Sequence, residues 1–551
     1  MNHNIAANLP ILAEKMGTKP AVIFGGMKPD ANGNFKYEKL SFSELEERSL
    51  LLANRLSEIG LKVGDKVLVF VKPSLNFSAI TFALFRLGLI PIFIDPGMGK
   101  KNLLRAVEQI KPDALIAEKQ VHWLRKLYSN SFQSIKYQIT VSGATWWHWG
   151  GKLYSIVDWI TNYEKTSPKP KLEERMYPSG PNDSAAILFT SGGTGIPKGV
   201  LYTHDIFNAQ VERLKNLFQL GPDQIDLPGF PLFSLFTITM GMTSAIPSMD
   251  PSKPSKANPQ YLVKNIRDHK ATFLAGSPAI WKNLADYCEK ENIQLPSVKY
   301  LVMFGAPIPI ELHQRFKTIL PHGHTFTPYG ATECLPVANI SGKDIEGEIE
   351  TKVLQGRGTC VGLPAPDTKI AIIQITDDIL TKEDQFQLKA PYELGEIAVL
   401  SRTVTPEYVG MPQKTSEAKV YGEQGEVWHR MGDLGYLDEQ GRLWFVGRKS
   451  HKLLYQDKIL GPVPIETLIN QIPGIRKSAL IQKGKDELEI VIEGKRNSII
   501  TEKIEDLISK NNQLSPIKNI SFLESFPVDV RHNIKIDRLK ISQYAQQGKL
   551  Q

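Results

Sequence analysis

Residues 189–200 read FTSGGTGIPKGV, and the apolar run AAILFT at 185–190 leads directly into them. Such a run reads as a buried strand. Gly192, Gly193 and Gly195 permit sharp turns and close approach of the backbone to a ligand. Consecutive backbone N–H groups in a loop of this kind can point inward at an oxyanion. Thr190, Ser191 and Thr194 add hydroxyl donors, and Lys198 adds a positive charge. By chemistry this is a phosphate-binding loop. It is not the GxxxxGK[ST] loop of common kinases and ATPases, because Pro197 precedes Lys198 and Gly199 follows it. The dinucleotide fingerprint GxGxxG is also absent here.

Outward from the loop, strand and helix patterns alternate. Upstream, Ser43 and Glu46 stand at capping-box spacing. Leu45, Leu51, Leu52, Leu56 and Ile59 then recur at helical spacing, and Gly60 reads as the stop. A strand follows near 67–72, then a helix over 77–87, a strand at 90–94, a helix near 100–110 and a strand at 114–117. After the polar, Pro-rich stretch 165–183 a second series begins. It has the strand 185–190, helices near 204–217 and 259–269, strands at 271–276 and 300–305, a short helix, and the loop TPYGATE at 327–333. Continuous apolar strands alternating with helices predict a largely parallel sheet clothed by helices. Between about 357 and 446, short strands alternate with Gly-rich turns, including a hairpin turn at 438–441. The tail, about 451–551, reads as a helix at 464–471, strands at 478–482 and 487–493, a helix at 501–510 and a basic terminal segment. The expected fold is therefore α/β. A large N-terminal body, residues 1–446, would hold parallel-sheet αβ subdomains plus a β region. A small mobile α+β domain, residues 447–551, would follow.

Composition narrows the class. The 551 residues are 42% hydrophobic and 23% charged, ordinary for a globular chain and incompatible with general disorder. Lys and Arg number 66 against 58 Asp and Glu, a net +8 that is mild over this length and does not call for nucleic acid. Cys288, Cys334 and Cys360 lie far apart, with no CxxC pair and no disulfide framework, which suits a reducing, cytoplasmic location. The apolar run at the N-terminus is too short and interrupted for a signal peptide. Residues 227–249 carry no charge and are long enough to span a bilayer. Pro228, Pro231, Pro247 and many hydroxyls favour a buried bend and strand instead, with no transmembrane segment. Transient contact with a membrane that supplies a greasy substrate stays open. His322 and His324 have no acidic or Cys partners at ligand spacing and read as part of a turn. Trp146, Trp147 and Trp149 form a local aromatic group, either packing or a partner surface.

Four segments in order resemble the adenylate-forming ligase superfamily: the loop at 189–200, YGATE at 329–333, GDL at 432–434, and GR at 447–448 with Lys535 beyond it. The resemblance spans about 35–545. It implies ATP and Mg²⁺ as cofactors and a two-step reaction. A carboxylate attacks the α-phosphorus of ATP, pyrophosphate leaves, and a second nucleophile then attacks the acyl-adenylate. On this resemblance Thr190, Ser191, Gly192, Gly193, Thr194, Gly195 and Lys198 hold phosphates, and Glu333 holds the metal. Gly305, Ala306, Tyr329, Gly330 and Thr332 frame the nucleotide. Asp433 takes the ribose hydroxyls, Arg448 opens the hinge, and Lys535 neutralises charge in the transition state. Thr190, Glu333 and Lys535 carry catalysis, joined by Arg531 and His532.

The pattern also departs from the superfamily. Ile534 stands where a glycine usually precedes the lysine, and the 526–535 run is two residues longer than the common spacing. The 448–462 segment lacks the Lys-Gly element associated with thioester formation. The 231–236 segment offers no carboxylate for an amino-acid ammonium. Phe233, Leu235, Phe236 and Met240 instead suggest an apolar slot, or plain core packing. IDPGMG (94–99), GMTSAIPSMDPS (241–252), GSPAIW (276–281) and FPVDVRHNIKIDR (526–538) resemble the olefin β-lactone synthetases. That group implies adenylation of a long-chain 2-alkyl-3-hydroxy acid, followed by attack of its own hydroxyl to close a β-lactone. Other olefin-pathway enzymes are the partners it implies, and nucleic acid is not. A long-chain fatty-acid–CoA ligase and a fatty-acyl-AMP ligase feeding a carrier protein are the alternatives.

Overall fold

The computed structural model describes residues 2–143, 153–190, 197–528 and 536–551. Two sheets built on parallel strands make up the large body. The first has seven strands in the order Leu153–Ser155, Tyr137–Thr140, Ala114–Ala117, Lys66–Phe70, Ile90–Phe93, Ser184–Thr190 and Lys198–Thr203. All neighbours are parallel except the last pair, which is antiparallel. Ala114–Ala117 is buried at every position, as a strand covered on both faces must be.

The second sheet changes character along its width. Pro20–Phe24, Thr243–Ile246, Ile225–Pro228, Phe273–Gly276, Tyr300–Met303 and His324–Ala331 run parallel. From His324–Ala331 outward it turns antiparallel, through Cys334–Ser341, Thr359–Pro364, Leu443–Arg448, Val427–Leu437, Gly395–Ser401 and Thr368–Ile373. The C-terminal region is a smaller α+β unit. It holds a three-stranded sheet of Ser478–Gly484, Glu487–Glu493 and Ile517–Leu523 with helices Pro462–Asn470, Ser498–Lys510 and Arg538–Gln546. Ile469, Leu480, Ile490, Ile504 and Phe522 form a core of its own.

Several local expectations shift. The capping box belongs to Ser41 and Glu44, not Ser43 and Glu46: Ser41 is extended at φ −70°, its hydroxyl accepts from the Glu44 N–H, and Glu44 accepts in return from the Ser41 N–H. Phe42 opens that helix because its buried ring has to face the core. Glu46 instead reaches the fully buried Arg86. Residues 327–333 are not a loop: most of them continue a strand that pairs with the next one in a hairpin. The uncharged 227–249 stretch holds a helix, Phe233–Thr239, between two strands, because its polar atoms bond back to its own turns. The basic terminal segment carries the helix Arg538–Gln546, capped by Asp537. No helix among the described residues is long and apolar enough to cross a membrane.

Candidate active site

The carboxyl ends of both sheets and the start of the C-terminal region enclose one cleft of about 2260 Å³. That exceeds an ordinary small-ligand pocket and leaves room for a nucleotide together with a long apolar chain. Thr190 and Lys198, Gly305 and Ala306, Tyr329, Gly330, Thr332 and Glu333, and Asp433 and Arg448 all line it. Ser191, Gly192, Gly193, Thr194, Gly195, Arg531, His532 and Lys535 lie outside the described residues, as do Trp146, Trp147 and Trp149. Thr190 and Lys198, which flank the loop, pair in register, and Val528 and Ile536, which flank the second segment, meet in a bridge. All four face the cleft.

Glu333 is nearly buried, and its Oε1 accepts a 2.7 Å hydrogen bond from the Tyr408 hydroxyl. The Lys198 ammonium stands 4.7 Å above the Tyr408 ring centroid. Burial lowers the Lys198 pKa, opposed by the Glu333 charge. Thr405 fastens the backbone beneath, donating from its N–H (2.9 Å) and its hydroxyl (3.1 Å) to the Glu333 carbonyl. The acid is thereby held in one place, and no hydrogen bond to its second oxygen occurs among the described residues.

A second assembly forms around Asp433. The Tyr329 hydroxyl donates to its Oδ2 at 2.6 Å, and Arg448 pairs with its Oδ1 at 2.9 Å. Asp433 and Arg448 are register partners on adjacent antiparallel strands, so the ion pair follows from the sheet. Burial, then the Asp433 charge, pushes the Tyr329 hydroxyl pKa well up, so the phenol stays protonated and donates. Two glycines are needed for shape. Gly305 has φ +92°, and a Cβ at Gly330 would come within 2.7 Å of the Cys334 carbonyl oxygen. Both line the cleft together with Tyr329.

Phe233, Leu235 and Phe236 line an apolar arm, with Phe233 stacked on Phe304 at 4.8 Å between centroids. Phe207 and Leu214 extend it. Met240 is buried but is no part of this wall, because it caps the Phe233–Thr239 helix on the far side.

Sequence reasoning missed Tyr202, Tyr408, Lys419 and His429. The Tyr202 hydroxyl donates to the Thr332 carbonyl at 2.5 Å. Lys419 and His429 are buried cross-strand partners. Burial lowers the Lys419 pKa to about 8 and drives that of His429 well down, so the imidazole is neutral. His429 lines the cleft, and its Nδ1 has no hydrogen-bond partner among the described residues. Local sequence carried little signal, since Arg430 and Asp433 share the strand with His429; only the pairing shows that Lys419 and His429 meet.

A family model described as AMP-binding enzyme matches residues 12–409. The chain belongs to this family. Two curated relatives, each named olefin beta-lactone synthetase, match this AMP-binding enzyme almost end to end. The protein of Xanthomonas campestris pv. campestris is 35% identical over 99% of this chain and 98% of its own. That of Stenotrophomonas maltophilia is 35% identical over 98% of each. Among solved structures, the anthranilate CoA ligase AuaEII in complex with anthranoyl-AMP shares the fold, with a TM-score of 0.78 at 18% identity over 100% of this chain and 98% of that one. The chemistry is that of an AMP-forming acyl ligase within the adenylate-forming superfamily.

Proposed function

We propose that this ligase activates a long-chain 2-alkyl-3-hydroxy acid with ATP and closes it to a β-lactone, releasing pyrophosphate and AMP. The full-length likeness to two olefin beta-lactone synthetases carries this reading, and the apolar arm beside the polar cleft supports it. In the first step a carboxylate oxygen bonds the α-phosphorus and the bond to the pyrophosphate oxygen breaks. In the second, the substrate's 3-hydroxyl oxygen bonds the acyl carbon, AMP leaves, and the hydroxyl proton passes to a base. The tethered hydroxyl has the proximity advantage of an intramolecular nucleophile.

The residue roles belong to the same proposal. Tyr329, Gly330, Gly305 and Ala306 frame the adenine, and the Asp433 carboxylate accepts from the ribose while Arg448 and Tyr329 hold it still. Thr332 braces that wall through Tyr202. Thr190, Lys198 and the 191–195 loop take the phosphates. Among the described residues no group of three metal-binding side chains occurs, but a carboxylate suits Mg²⁺, a hard cation that takes oxygen ligands and is commonly bound through one or two carboxylates. Glu333 would hold that ion, which neutralises phosphate charge when bound. Tyr408 acts through Glu333 as a positioning residue. Tyr408→Phe removes one hydrogen bond to a charged group and is expected to raise the KM for Mg·ATP about 10-fold, with Glu333→Gln at least as severe. Unchanged KM values in a pyrophosphate-release assay would remove both roles.

We further assign residues 449–551 to a small unit that moves against the body; it starts two residues after the expected 447 because Gly447 and Arg448 pair with Leu434 and Asp433 in the large sheet. Polar contacts cross its junction, with Lys452 on Asp377 at 3.0 Å and Gln471 Nε2 donating to the Leu354 carbonyl at 2.8 Å. Such interfaces slide readily. Limited proteolysis is expected to cut near 446–456 and to change with a non-hydrolysable ATP analogue. A nucleotide-insensitive pattern would argue for a rigid chain. Product analysis with and without coenzyme A tests the overall reading.

A further inference from the structure

The charge of this chain is unevenly placed. Residues 100–136 hold eight Lys and Arg against three Asp and Glu, a net +5 from 37 residues of a 551-residue chain whose total is +8. Two of the three acids are already engaged. Asp113 pairs with Lys136 at 3.1 Å, and Glu108 accepts from the Ser131 hydroxyl at 2.5 Å. Within this segment the helix Lys119–Leu127 turns an unusual face to solvent. Trp123 is 57% exposed and Leu127 76% exposed, one turn apart on the same side. Lys119 and Lys126 stand on that face, with the Lys126 ammonium 5.6 Å from the Trp123 ring. Exposed Lys100 and Lys101 border it, and Lys100 donates to Tyr128, next after the helix.

The other side of the helix holds it rigid. His122 is buried, with its Nε2 at 3.1 Å from the Ile139 carbonyl, and Arg125 donates to Gln138 at 2.8 Å. Gln120 and Val121, in the first turn, line the cleft itself. A Trp and a Leu ringed by lysines, on a fixed helix at the rim of the substrate cleft, present the chemistry of a membrane-surface anchor. Tryptophan favours the interfacial zone and lysines are drawn to anionic headgroups. Protein interfaces are by contrast depleted in lysine.

We propose that the exposed face of helix Lys119–Leu127, with Lys100 and Lys101, docks on an anionic lipid bilayer and sets the cleft mouth against it. A two-chain acid partitions into such a bilayer, so docking would let it enter the cleft without crossing water. That last clause rests on the proposed substrate, but the docking does not.

Vesicle co-sedimentation of the full chain reads docking without turnover. Vesicles of phosphatidylcholine doped with phosphatidylglycerol are expected to bind the protein, phosphatidylcholine alone to bind it weakly, and high salt to release it. The double variants Trp123→Ser/Leu127→Ser and Lys119→Glu/Lys126→Glu are each expected to reduce the bound fraction at least about fivefold. Their circular dichroism and their activity on a short, soluble hydroxy acid should be unchanged. Absence of binding to the anionic vesicles, or equal binding by both variants, overturns the proposal. So does self-association of the native chain that both variants abolish without any vesicle binding, which would make this face a contact between copies. Vesicle binding with no lactone formed would leave the docking standing and remove only the substrate reading.

Discussion

Replacing Lys535 with alanine is expected to lower acid-dependent pyrophosphate release by about 10²–10³-fold, the loss typical of removing one preorganised charge partner from a developing oxyanion. Lys535 lies outside the described residues, so the expectation rests on its place in the superfamily pattern and on its described neighbours. Val528 and Ile536 bracket the segment, pair with each other and line the cleft. The hydrophobic core of the C-terminal region is built from other residues, so the melting temperature should stay close to that of the unaltered chain. The loss should fall on kcat more than on the KM for ATP, because the charge is needed most where carboxylate and α-phosphate meet. Undiminished release, or an equal rise in KM with kcat preserved, would assign Lys535 to ground-state binding or to the surface.

The larger effect is expected from the substrate rather than from the protein. With ATP and Mg²⁺ but no thiol, a 2-alkyl-3-hydroxy acid should give AMP, pyrophosphate and β-lactone. The matched acid lacking the 3-hydroxyl should give no lactone at all and should stall as the adenylate or lose it slowly to water. On the proposed reading both acids would bury the same chain against Phe233, Leu235 and Phe236 and use the same phosphate chemistry, so the comparison isolates the internal nucleophile. Mass spectrometry of the products, repeated with coenzyme A, decides between readings. Efficient thioester formation without lactone would transfer the protein to the fatty-acid–CoA ligases. His532→Ala extends the test: if His532 handles the hydroxyl proton, adenylate still forms while ring closure slows. Neutral, cleft-facing His429 is a second histidine to replace beside it, and His313 and His451 also line the cleft.

The parts of the fold that were legible in the sequence share a property: their signal is local. Ala114–Ala117 and Ser184–Thr190 announce themselves as unbroken apolar runs, and the 438–441 turn by its Asp and Gly. Helix Lys100–Ile110 shows its buried stripe of Leu103, Ala106, Val107 and Ile110 at helical spacing. The misreadings share the opposite property. Residues 327–333 look like a loop because Pro328 and Gly330 discourage strand formation, yet pairing with Cys334–Ser341 keeps residues 327–331 in the sheet and leaves 332–333 as its turn. Helix Phe233–Thr239 is short and uncharged, a pattern that cannot be told from a buried strand by periodicity. Its identity is decided by burial between the sheet and helix His204–Phe218.

The site divides in the same way. Composition and order of short segments were enough to point to phosphate binding, to adenylate chemistry and to residues such as Glu333 and Asp433, because glycines, hydroxyls and charges carry their chemistry with them. What those side chains touch was decided only by the tertiary structure. Tyr408 reaches Glu333 across 75 positions, and Tyr329 reaches Asp433 across 104. Lys419 and His429 share a face only because their strands pair in that register, since a one-residue slip of either strand would turn its own side chain to the opposite face and part the two. Which charges are buried together, and so which acids are held and which histidine is kept neutral, depends on desolvation by neighbours distant in the chain, and no local pattern encodes that.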